Sequence, residues 1–206
     1  MVTVLPTVLY KLLCVLVADE LEKFAKEFED LVDDEGKFIG DLEIYRNRHI
    51  ELCKLVESLD RVVSFITSSS FLSHITLLCI ILYNVIYHKL NTEFTSLQLF
   101  WIFSIIIHML TIGYHGGNIY VWAHHPIKSM LSLSLVYDGV DNDKLLQINM
   151  FMNKLTGTTI GVSAMGMFVV DPSALVTMFG VMITYFIILL QFRIGHKDFN
   201  CKCPLP

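Results

Sequence analysis

The sequence predicts an all-α, integral membrane helical bundle of about three full spans plus the end of a fourth, with a cytoplasmic helical hairpin. Three observations predict it. The 206 residues are 54% hydrophobic and only 17% charged, with a mean hydropathy of +0.58, which leaves too little polar surface for a soluble domain of this length. The charges are also segregated: most acids fall between Asp19 and Asp60, and long stretches after Phe71 carry almost none. Finally, apolar runs of span length cover residues 71–87, 94–114 and 171–192.

Residues 1–18 are apolar apart from Lys11. They lack the basic start and small-residue cleavage site of a signal peptide and are short for a crossing, so they are expected to be the end of a membrane helix whose beginning is absent or abbreviated. Residues 19–70 read as an amphipathic helical hairpin. Its first helix carries Val17, Leu21, Phe24, Phe28 and Leu31 at spacings of three and four, the signature of one buried helix face. Asp33-Asp34-Glu35-Gly36 and Gly40 break that helix. The second helix bears a heptad-like seam, Tyr45, Leu52, Leu55, Leu59, Val62 and Ile66. The seam is short and runs straight into a membrane segment, so packing on its own protein is favoured over a free coiled coil. Leu52, Leu55 and Leu59 are the expected assembly residues.

Two spans follow within residues 71–114, joined by a short turn at 88–93. Residues 115–170 are expected to be a polar connection, marked by Gly116-Gly117, Pro126 and Asp138-Gly139. Helix is expected to return between Lys144 and Lys154. Asp171-Pro172 opens the terminal span, 171–192, with Asp as N-cap and Pro at the first helical position. Residues 193–206 form a tail. Of the 15 Lys and Arg residues, ten lie in 19–70 and 115–154, which places those segments in the cytoplasm and the tail outside.

A net charge of −5 argues against nucleic acid as a partner; membrane lipid is the expected surrounding. Cys14, Cys53 and Cys79 read as small buried hydrophobes, and Cys201-Lys202-Cys203 as an incidental tail, with an intermolecular disulfide as its alternative. His115 and the pair His124-His125 invite a metal reading, but a nine-residue separation is not ligand spacing on a helix. No HExxH, GxSxG or glycine-rich phosphate loop occurs. The expectation is no enzymatic activity, no cofactor and no metal. His74 and His108 lie inside spans, where neutral imidazoles bonded to neighbouring groups are favoured over a functional role.

The terminal span is the most informative segment. Thr177, Thr184 and Gln191 are spaced by seven and share one helix face with Val181 and Ile188. Such a stripe is expected to meet another helix or water rather than lipid. Spacing alone leaves open whether it is interhelical glue or a pore lining.

The run Thr184-Tyr185-Phe186-Ile187-Ile188-Leu189-Leu190-Gln191-Phe192 resembles the terminal signature of the insect-type gustatory receptor family, in which Thr-Tyr and Gln-Phe bracket five apolar residues. Ser163-Ala164-Met165-Gly166-Met167-Phe168 and Asp171 fall where family members carry a small-residue and aromatic stretch and then an acid opening the last helix. The hairpin with Tyr45-Arg46 and Leu52 leading into a span is similar too. The resemblance implies seven spans with an outside C-terminus, assembly as a tetrameric cation channel, and a last helix that lines the pore. Thr177, Val181, Thr184, Ile188 and Gln191 are thereby expected to be pore-lining. The chain corresponds to the C-terminal half of such a receptor. The family's ligand pocket lies among its second to sixth spans, so a small-molecule tastant is the expected partner only once the missing spans are supplied. The implied protein is a multi-pass cell-membrane chemoreceptor, a ligand-gated channel subunit in a homo- or hetero-tetramer. The alternative is a truncated structural or dominant-negative subunit without a complete ligand pocket.

Overall fold

The computed structural model describes residues 4–32, 38, 40–87, 91–131, 142–157 and 159–200. Among the described residues six helices follow in order: α1 (Val4–Glu29), α2 (Leu42–Tyr87), α3 (Thr92–His124), α4 (Pro126–Leu131), α5 (Asn142–Gly157) and α6 (Pro172–Asn200). No strand is found among the described residues, only the isolated antiparallel bridges Val32 with Phe38 and Ser163 with Val169. The fold is all-α, and α2, the α3–α4 stretch and α6 contain segments long and apolar enough to cross a membrane.

The chain divides into two compact units: Met1–Thr67 with Ile112–Asp171, and Ser68–Thr111 with Pro172–Pro206. In the first, the amphipathic stripe read from the sequence is the core. Val17, Leu21, Phe24 and Phe28 are all buried, and Phe24 and Phe28 cluster with Leu42, Met130, Phe151 and Leu155. Phe28 meets Phe151 edge to face with ring centroids 5.9 Å apart, a geometry aromatic quadrupoles favour. Each such side chain contributes on the order of 1.5–3 kcal/mol by leaving water. The opposite face of α1 carries Lys23–Asp19 (2.8 Å) and Lys26–Glu22 (2.7 Å) pairs one turn apart. An Arg48–Glu27 pair links α1 to α2.

Helix α2 starts where Asp41 Oδ1 accepts the Glu43 backbone N–H at 2.9 Å, satisfying one of the free donors of the first turn. Its inward face in the first unit runs His49, Cys53, Val56, Val63 and Thr67. The heptad-like seam is offset from that face. Leu59 is buried and Leu52 packs against the core cluster, whereas Leu55 and Val62 are exposed. The seam therefore straddles the edge between the covered and open sides of the helix.

The second difference lies at residues 115–124. Gly116-Gly117 does not end a helix there: α3 continues through both glycines to His124. The reason is close approach. A Cβ on Gly116 would stand 2.7 Å from the Tyr10 hydroxyl and 3.0 Å from Val170 Cγ1, so only glycine lets α1 and the segment before α6 reach the α3 backbone. Helix α5 covers the expected 144–154 stretch, and α6 runs past Phe192 to Asn200. The breaks expected at Asp33–Gly36, 88–90 and Asp138-Gly139, and the Cys201 and Cys203 tail, lie outside the described residues.

Candidate functional site

Within the second unit, α6 presents Thr177, Val181, Thr184, Ile188 and Gln191 along one exposed face. The covered side is opposite: Met182 is buried, and the Tyr87 hydroxyl donates to the Leu189 carbonyl at 3.3 Å. Tyr185 is half-buried and Phe192 exposed, so the four motif residues Thr184, Tyr185, Gln191 and Phe192 divide between the two sides. Exposure does not single out the stripe, because Val176, Ile183 and Ile187 are open as well. The threonines also correct the argument from polarity. Thr177 Oγ1 donates to the Ser173 carbonyl and Thr184 Oγ1 to the Gly180 carbonyl, each at 2.9 Å. A hydroxyl bonded to its own helix backbone needs no second partner, so neither threonine by itself bars this face from lipid. Gln191 is the residue whose amide still carries that argument.

The same unit holds the two in-span histidines. Their rings stack with centroids 4.5 Å apart and planes within 15°, and His74 Nδ1 lies 2.5 Å from the Ser70 carbonyl. The bond returns the His74 ring to its own helix backbone. In the first unit His124 Nδ1 lies 2.9 Å from the Tyr120 carbonyl. His115 and His124, nine residues apart on α3, point to opposite faces at about 100° per residue. Among the described residues no group of three His, Cys, Asp or Glu side chains converges on a point that could hold a metal.

The feature that sequence reasoning missed is in the first unit, at residues 159–171, the strap between α5 and α6. The strap doubles back on itself. Val170 N–H donates to the Val162 carbonyl at 2.7 Å and Ala164 N–H to the Phe168 carbonyl at 2.9 Å. Met165 and Gly166, both at positive φ (51° and 71°), make the reversal. Asp60 of α2 grips it: Ser163 N–H donates to Asp60 Oδ1 at 2.6 Å and Ser163 Oγ to Asp60 Oδ2 at 2.9 Å. Ser163 Oγ in turn accepts from Gly166 N–H at 3.1 Å. A cavity of about 480 Å³ adjoins this contact, lined among others by Cys53, Glu57, Lys154 and Met167. Ser163 stood out in the sequence as part of a small-residue stretch. Nothing local marked Asp60, because the two residues are 103 positions apart.

Deeper in this unit His49 packs between Phe24 and Phe151, with ring centroids at 5.7 and 5.4 Å. It belongs to the charge-rich start of α2, before the apolar stretch. Burial holds its imidazole below the usual histidine range.

An all-helical chain with three span-length apolar segments and a terminal helix open along one side defines a helical membrane protein. A scan against protein-family models matches 7tm Chemosensory receptor over residues 2–196, so the chain belongs to the chemosensory receptor family. A search of curated proteins found no match.

Proposed function

We propose that the chain is a gustatory-type chemoreceptor subunit in the cell membrane whose terminal helix lines a cation-conducting pore in a tetramer. The observation that carries the reading is the terminal motif on α6, with Thr177, Val181, Thr184, Ile188 and Gln191 on a face its own unit leaves uncovered. Family membership supports the chemosensory half of the proposal. In the proposed assembly Ile188 forms an apolar ring that closes the conduit by dewetting. Gln191, one turn further, offers ions an amide in place of lost water. Residues 19–70 lie in the cytoplasm, where their basic residues accumulate, and the ligand is a small-molecule tastant.

The test is independent of agonist. Ile188→Ser, in an assembly containing this chain, should raise resting cation current, and Gln191 substitutions should alter ion selectivity more than surface delivery. Ile188→Cys and Gln191→Cys should react with small charged thiol reagents. If both are inert in open and closed channels while Phe186→Cys or Leu189→Cys reacts, the pore face is misassigned. A chain that reaches the membrane, passes no current and only suppresses a full-length partner would be the structural subunit instead.

A further inference from the structure

The strap at 159–171 is held at three points, all in the first unit. At its start, Gly161 packs so closely that a Cβ would meet Val169 Cγ1 at 2.7 Å, with Tyr120 of α3 next at 3.6 Å. At its end, Val170 is fully buried and lies within 3.0 Å of where a Gly116 Cβ would stand. The apolar contacts at these two points depend on shape. The middle point is of another kind: the Asp60 carboxylate accepts both the amide and the hydroxyl hydrogen of Ser163. Hydrogen bonds to a charged group are the stronger class, and two from one residue fix orientation as well as distance.

The reversal held there is strained. Met165 sits at φ 51° without being glycine, a conformation that persists only where its surroundings over-determine it. Ser163 Oγ supplies part of that constraint through Gly166 N–H. Because Ser163 is bonded to Asp60, α2 and the reversal share one hydrogen-bond chain. On its open side the chain borders the cavity rather than packed core, so the strap has space to move when the carboxylate lets go.

We propose that Asp60 is a positioning residue: its carboxylate latches the strap through Ser163 and holds the reversal at Met165-Gly166 closed over the cavity, and the strap opens when that latch is lost.

The experiment uses the full chain with Val170→Cys, or Val162→Cys if the first variant folds poorly, both positions being fully buried. Thiol modification is followed residue by residue by mass spectrometry. Local opening governs the rate at such sites, so adding Asp60→Ala should speed modification of the introduced thiol by roughly tenfold or more, the loss of two charge-assisted bonds. Asp60→Asn, whose amide oxygen still accepts from the Ser163 N–H, should fall between. The buried native Cys14 should stay unreactive throughout. Equal rates with and without Asp60→Ala overturn the latch, and so does a parallel rise at Cys14, which would mean general loosening.

Discussion

Gly116→Ala adds one methyl group at a point of close approach in the first unit. The new Cβ would stand 2.7 Å from the Tyr10 hydroxyl and 3.0 and 3.2 Å from Val170 Cγ1 and Cβ. Neither neighbour can give easily: Tyr10 is 2% exposed and Val170 0%, and the Tyr10 hydroxyl donates to the Ile112 carbonyl at 3.0 Å across 102 residues. Overpacking of this kind costs about 1–3 kcal/mol. Displacing the buried phenol from its acceptor adds about 1–3 kcal/mol. Against this, alanine improves on glycine inside a helix by about 1 kcal/mol. The net expectation is a loss of about 1–5 kcal/mol, and a chain of this size changes its melting point by about 2–4 °C per kcal/mol. Thermal denaturation in mild detergent would show it. Tyr10→Phe deletes the atom that clashes, so Tyr10→Phe/Gly116→Ala should be less destabilised than the two single changes added together, by about 1 kcal/mol. A neutral or stabilising Gly116→Ala, or strict additivity in the cycle, would refute the close approach.

The seam on α2 should divide by burial. Leu59→Asp should impair folding of the chain itself, whereas Leu55→Asp with Val62→Asp, on the exposed side, should leave it folded and lower oligomer yield in detergent; an unchanged oligomer size would confine the seam to one subunit. His49 gives the first unit a pH dependence. Its folded form keeps the ring neutral through burial, while the unfolded chain takes up a proton near pH ~6.5. Stability should therefore be complete above that pH and decline as pH falls through it. His49→Phe should flatten the midpoint-against-pH curve in detergent, and an unaltered slope would assign the titration elsewhere. For orientation, reagents applied outside intact cells should label Cys201 and Cys203 and spare Ser58→Cys, an exposed position on α2. The reverse pattern would invert the proposed topology. Native Cys53 is too buried to report.

The helical bundle was legible because its signals are periodic. Val17, Leu21, Phe24 and Phe28 repeat at helix spacing and all four are buried, and the run 71–87 ends with α2 at Tyr87, whereas α3 and α6 continue beyond 114 and 192. Gly116-Gly117 misled because sequence punctuation does not distinguish a break from a site where another backbone or a phenol must come close. That distinction depends on Tyr10, 106 positions away. On α2 a heptad template selects Leu55 and Val62, while the face covered within the unit follows His49, Cys53 and Val56, a fraction of a turn away. The terminal stripe was found as a face, but its polarity was overstated, since the return of each threonine hydroxyl to its own backbone is invisible in the letters. Asp60 and Ser163 left no pattern because a hydrogen bond between distant segments has no period.

The self-contained threonines of α6 have a consequence for how such a helix is made. A segment whose hydroxyls waited for partners would be costly to leave in lipid alone, and its insertion would be tied to the arrival of other subunits. With Thr177 and Thr184 already bonded to Ser173 and Gly180, the polar side chain of the stripe that still needs water or a partner is the Gln191 amide, near the end of the apolar stretch. These two positions therefore place no demand for a partner on a newly inserted helix, and in the proposed tetramer assembly would be a later event set by the concentration of subunits in the membrane.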